Sequence, residues 1–117
     1  MSESIVKRKS FELAVLGINF YKILVSEKKE YVMSKQFLRS ITSVGANVRE
    51  AVNAQSKADF IHKLSISQKE CDETMYWLEL LKETDFISEG DFKPIIEKSI
   101  EVLKIIKSII LTSKKNS

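Results

Sequence analysis

Three glycines and one proline are all the chain has for turning in 117 residues. Tight β-turns lean on glycine and proline for φ values that other residues resist, so a meander or sandwich of many short strands is excluded. What the sequence offers instead is helical periodicity. Phe37/Leu38, Ile41, Val44/Gly45, Val48 and Ala51/Val52 recur at intervals of three and four. Phe60, Leu64, Ser67, Cys71, Thr74/Met75, Leu78 and Leu81 recur about every 3.5 residues, the spacing of a bundle seam. Ile95/Ile96, Val102/Leu103 and Ile109/Ile110 repeat every seven. Ahead of them, residues 3–29 are apolar on most faces of a helix, from Ile5 and Val6 through Phe11, Leu13 and Val15 to Leu24 and Val25.

Four helices are therefore expected, over Glu3–Lys29, Lys35–Ala54, Lys57–Glu83 and from near Ser88–Asp91 to Ser113. Ser34 is the expected N-cap of the second. Ser56, with Asp59 three residues on, resembles a capping box for the third. Pro94 is placed in the first turn of the fourth, where its missing N–H is tolerated. Short connections make consecutive helices antiparallel, giving a single all-α domain over residues 1–117, an antiparallel up-down-up-down four-helix bundle. Gly45 inside a helix costs about 1 kcal/mol against Ala, so a packing reason is expected there. The surplus apolar surface of the first and fourth helices points to self-association.

With 44% apolar and 30% charged residues, the composition is that of a soluble globular protein. No apolar stretch precedes the first charges and no run approaches the ~20 apolar residues of a membrane span, so a cytoplasmic protein with Cys71 reduced and no membrane partner is expected. The net charge is +3, tallied along the chain as +2 over residues 1–33, +2 over 34–55, −2 over 56–84 and +1 over 85–117. A basic first half and the terminal Lys114-Lys115 suit a polyanion, and equally a solvated surface.

Catalytic signals are sparse. A di-iron centre in such a bundle needs two Glu-x-x-His pairs and two further Glu. This chain has one His, and Asp59-x-x-His62 is a loose imitation, so no metal is expected. Cys71 sits on the seam with no His nearby in the pattern and reads as a small buried hydrophobe. No Gly-rich phosphate loop, cofactor motif or small-molecule substrate is evident, and no enzymatic role is expected. The polar stripes are more informative. Arg39, Ser43, Asn47 and Glu50 line one face of the second helix; Asp59, Lys63, Glu70, Glu73 and Trp77 line one face of the third. Facing each other, Arg39, Glu50, Lys63 and Glu70 form a buried charge network, which serves either helix register or a ligand. Tyr76 and Trp77 fit a core-edge or oligomer anchor, or a base-stacking platform.

Three segments carry a family resemblance. They are Arg39-Ser40 ahead of a small-residue stretch with Ala46-Asn47 and Glu50-Ala51, then Ser56 with Asp59-Phe60, then Glu73-Thr74 with Tyr76-Trp77-Leu78. Over nearly its whole length the chain resembles the bacterial four-helix bundle proteins called 23S rRNA intervening-sequence proteins. It departs from their usual pattern at Ile41, where a small residue is commoner, and at Ser67-Gln68 and Cys71-Asp72, where alanine is commoner. That family is similar to the accessory variability protein of diversity-generating retroelements, a barrel-like homopentamer that binds nucleic acid. The resemblance implies a non-enzymatic homo-oligomer, a pentamer, that binds structured RNA or DNA. Its motif positions here are Arg39, Ser40, Asn47, Glu50, Ser56, Asp59, Lys63, Lys69, Glu70, Glu73, Tyr76 and Trp77. The expected phosphate contacts are Arg39, Arg49, Lys63 and Lys69, with Lys7, Arg8 and Lys9 as a flexible supplement. The expected structural polar network is Arg39, Asn47, Glu50, Asp59, Glu70 and Glu73. The alternative is an oligomeric scaffold or protein-interaction module with no affinity for nucleic acid.

Overall fold

A computed structural model describes residues 2–116. Its four helices are α1 (Ser2–Ser26), α2 (Met33–Val52), α3 (Lys57–Glu83) and α4 (Glu89–Lys115). Each packs on its neighbours in the chain and α4 closes against α1, while the diagonal pairs face each other only across the shared core. The result is the expected antiparallel four-helix bundle, a rod of 48 × 21 × 19 Å.

One core runs the length of the rod. Leu13, Leu24, Phe37, Ile41, Val44, Leu64, Leu78, Leu81, Val102 and Ile106 are almost wholly excluded from solvent. Each such side chain contributes about 1.5–3 kcal/mol on burial. Small hydroxyl residues lie among them where α2 meets α3. Ser67 donates to the Val44 carbonyl at 2.7 Å, and Thr74 lies 3.0 Å from the Ser40 hydroxyl while donating to the Glu70 carbonyl at 2.8 Å. Among the described residues no buried side-chain polar atom lacks a partner, so these hydroxyls add register without an unpaired group. Close approach of α1 and α2 depends on two glycines. A Cβ on Gly17 would stand 2.6 Å from Ile41 Cδ1, and one on Gly45 would stand 3.3 Å from the Ser10 carbonyl oxygen. Gly45 thus has the expected packing reason, and Ile41 fills the notch that Gly17 leaves.

Three local expectations are corrected. Ser34 is not the cap of α2: it is buried inside the first turn, and the N-cap position, Val32, has no capping side chain. Glu30 does the work, its buried carboxylate accepting from the N–H groups of Val32, Met33 and Ser34 at 3.3, 3.1 and 2.6 Å. A carboxylate among the first free N–H groups of a helix satisfies them and meets the positive end of its dipole. α1 stops at Ser26 and not Lys29, because Lys29 adopts a left-handed φ of 56° that reverses the chain and delivers Glu30 to its place. Pro94 falls in the second turn of α4, since Ser88 caps the helix by accepting from Asp91 N–H at 3.2 Å and residue 89 is the first helical one. The donor that Pro94 lacks would have met the carbonyl of Gly90, an exposed residue open to water. Ser56 caps α3 as expected, accepting from Asp59 N–H at 3.1 Å.

Candidate functional site

The polar stripes of α2 and α3 do face each other, but they divide into two clusters on the surface. Arg39 binds Glu70 through both terminal nitrogens, at 2.9 and 3.2 Å, and Glu73 at 2.6 Å. Trp77 Nε1–H donates to Glu73 at 3.2 Å, and the Tyr76 ring meets Trp77 edge-on at 5.2 Å. The carboxylates of Glu70 and then Glu73 raise the Arg39 guanidinium above its ordinary value, and Arg39, then Trp77, hold Glu73 below its own. Glu50 instead pairs with Lys63 at 3.0 Å, which raises the lysine above its ordinary value. Asn47 donates to the Ser43 carbonyl of its own helix at 2.9 Å. The single buried network is thus corrected. Arg39 and Glu50 are eleven residues apart, about 16 Å along a helix, too far for one cluster, and the Arg39 side chain is 50% exposed.

The same pairing sorts the expected phosphate contacts. Arg39 and Lys63 have carboxylate partners. Arg49 and Lys69 are exposed and, among the described residues, make no ion pair. Tyr76 is exposed and Trp77 half-buried at the core edge. Lys7, Arg8 and Lys9 are residues of α1 and not a flexible arm. Lys9 is taken by Glu101 at 2.9 Å, beside a Lys98–Glu12 pair at 2.7 Å across the α1–α4 seam, and Arg8 leans on Glu12 at 3.4 Å. Lys7, like Arg49, makes no ion pair among the described residues.

Lys7 and Arg49 meet in a concave site. The outward face of α2 carries only Thr42, Gly45 and Ala46 there, so it lies low between its neighbours. An open trough of about 820 Å³ results, walled by Lys7 and Phe11 of α1 and by Asp59 and Lys63 of α3, with Arg49 and Glu50 rising from α2. A second recess of about 350 Å³ adjoins it and shares Lys7, Phe11 and Arg49, with Arg8 alongside. Phe11 is 57% exposed, whereas the other five phenylalanines are buried or half-buried.

The trough lies at the basic end of a polar molecule. Antiparallel packing gathers the start of α1, the end of α2, the start of α3 and the end of α4. With each helix divided at its middle, that half (residues 2–13, 43–69 and 103–116) holds eleven Lys/Arg against four Asp/Glu, net +7. The other half (residues 14–42 and 70–102) holds eight against twelve, net −4. Counting charge along the sequence hides this, because each segment contributes to both ends.

Other candidates carry less chemistry. Cys71 is buried, its Sγ 3.3 Å from the Ser99 carbonyl, and burial pushes its thiol up to about 12, far from a reactive thiolate. His62 is exposed. Among the described residues no group of three or more His, Cys, Asp or Glu is placed to hold a metal ion, and no helix is long and apolar enough to cross a membrane.

Comparison with known proteins agrees with this architecture. The profile of the family described as 23S rRNA-intervening sequence protein matches residues 2–108. Among solved structures, the chain is similar to a protein with unknown function from the S23 ribosomal protein family of Bacteroides thetaiotaomicron VPI-5482. The two are 55% identical with a TM-score of 0.92, over 94% of this chain and 98% of that one. No curated protein matches.

Proposed function

We propose that this chain, which belongs to the 23S rRNA-intervening sequence protein family, is a non-enzymatic cytoplasmic accessory protein that assembles with itself and binds RNA or DNA through the basic end of its bundle. The observation that carries this reading is the charge polarity of the fold, with +7 gathered at the end that holds the trough. Exposed, unpaired cations there attract a phosphate backbone and release its counterions, without base specificity. Lys7 and Arg49 are the principal phosphate contacts, with Lys69 outside the trough. Arg39 and Lys63, neutralised by Glu70, Glu73 and Glu50, serve the packing of α2 on α3.

Self-assembly into a homo-oligomer, a pentamer, is assigned to the α1–α4 seam. There Ile5, Ile105 and Ile109 line a shallow apolar recess and Leu16 is exposed on the same side of α1. Repetition of the basic end around a ring multiplies weak contacts. The second reading, an oligomeric scaffold without nucleic-acid affinity, is favoured by one feature: Phe11, Val15 and Ile18 form an exposed apolar stripe beside the trough that a helix of another chain would cover. Sedimentation of the protein, with fluorescence anisotropy of a labelled structured RNA and a DNA duplex at two salt concentrations, separates the two. The proposal expects an assembly larger than a monomer and dissociation constants of about micromolar that weaken steeply with salt. An assembly that binds neither probe at low salt leaves the scaffold.

A further inference from the structure

We infer that the trough over α2, between α1 and α3, takes an unpaired nucleotide of RNA or DNA, its base stacked on Phe11 and its flanking phosphates held by Lys7 and Arg49. This rests on the nucleic-acid reading above and adds to its backbone contacts a subsite that only a single-stranded nucleotide can fill. A duplex turns its phosphates outward and its base faces inward, so a rounded basic surface suffices to hold it. The trough offers something else. A phenylalanine ring, 57% exposed, lines both recesses together with Lys7 and Arg49, two cations that have no acidic partner among the described residues. Aromatic rings flanked by cations are the parts from which sites for single strands are built, because every base has a π-face to stack while the cations track the backbone. The open trough, about 820 Å³, is also large enough to admit a small organic group. Its lining is chemically mixed: besides Lys7 and Arg49 it holds the Glu50–Lys63 pair, the Asp59 carboxylate and the amides of Asn53 and Gln55. Carboxylate and amide groups there can accept from or donate to the edge of a base, whereas a backbone cradle alone would have no use for them.

The test uses the full chain and four fluorescein-labelled probes: a short single-stranded RNA, its DNA counterpart, the corresponding DNA duplex, and an abasic deoxyribose-phosphate strand of equal length. Binding is compared for the wild type and for Phe11→Ala, Phe11→Leu and Phe11→Trp. Phe11 is largely exposed, so these variants keep the fold, which circular dichroism checks. The inference predicts that Phe11→Ala and Phe11→Leu weaken both single strands by about 5- to 150-fold. Phe11→Trp retains binding, the duplex and abasic probes change by less than about 2-fold, and the salt slope is unaltered. Equal weakening of all four probes, or none, overturns it. So does a smaller assembly on sedimentation of Phe11→Ala, which would place the ring in a subunit contact. The parent reading fails differently: the wild type then binds no probe, whatever residue 11 is.

Discussion

Glu30 is a buried carboxylate whose partners are three backbone N–H groups at the start of α2. Replacing it with Ala leaves those donors without an acceptor, so Glu30→Ala is expected to lower stability by about 1–2 kcal/mol in urea denaturation. Ser34→Ala is expected to cost less, since Ser34 Oγ donates only to the Glu30 carbonyl. Lys29, next to it, holds a left-handed φ of 56° that glycine adopts without a Cβ penalty. Lys29→Gly should therefore stabilise by up to about 1 kcal/mol, and a loss would show that the lysine side chain contributes more than its backbone strain costs. The Arg39 cluster gives a prediction in pH. Glu73 is held below its ordinary value of 4.5, first by Arg39. A carboxylate depressed in the folded state contributes stability that is complete above about pH 4.5 and is lost as pH falls through the lower folded value. At pH 7, Arg39→Ala is expected to cost about 1 kcal/mol or less, because the group is half exposed. In scanning calorimetry the Tm gap between wild type and variant should narrow below pH 4.5, and a gap independent of pH would contradict the assignment.

The packing of α1 on α2 turns on the contact of Gly17 with Ile41. Gly17→Ala gains helix propensity of about 1 kcal/mol but drives a methyl into both branches of Ile41, so a net loss of about 1–2 kcal/mol is expected. Ile41→Val removes the nearer of those atoms and should recover part of that loss in a double-mutant cycle; additive effects would place the strain elsewhere. The helices themselves were legible from spacing, because a 3.5–3.6 residue period over 20 or more residues has no competing reading. So was the pairing of Arg39 with Glu70, which follows from the facing polar stripes. The start of α2 was not. A glutamate that caps from three residues ahead of the helix requires the chain reversal at Lys29, and no local rule places a left-handed lysine. Nor was burial legible: a stripe of charges on facing helices looks the same whether it lies inside or at the rim.

At the scale of the molecule, function is assigned to an asymmetry that the antiparallel fold assembles from separate segments. Residues 103–116 hold four lysines and no acid, residues 70–102 ten acids and three bases, and only the antiparallel register sets the lysine-rich end of α4 beside the starts of α1 and α3. By spacing alone, Phe11 is one more apolar position of α1. Its exposure follows from the small residues Gly45 and Ala46 opposite, which leave the ring uncovered. The most direct test of the polyanion site is the dependence of RNA affinity on salt for the wild type, Lys7→Ala and Arg49→Ala, with Arg39→Ala as the comparison. A linear fall of log K with log salt is expected, with the slope reduced by about one in Lys7→Ala and in Arg49→Ala. Arg39→Ala, already neutralised in the fold, should leave the slope unchanged. Slopes identical in all four proteins would contradict the account, and a slope that falls only in Arg39→Ala would move the site to the α2–α3 face.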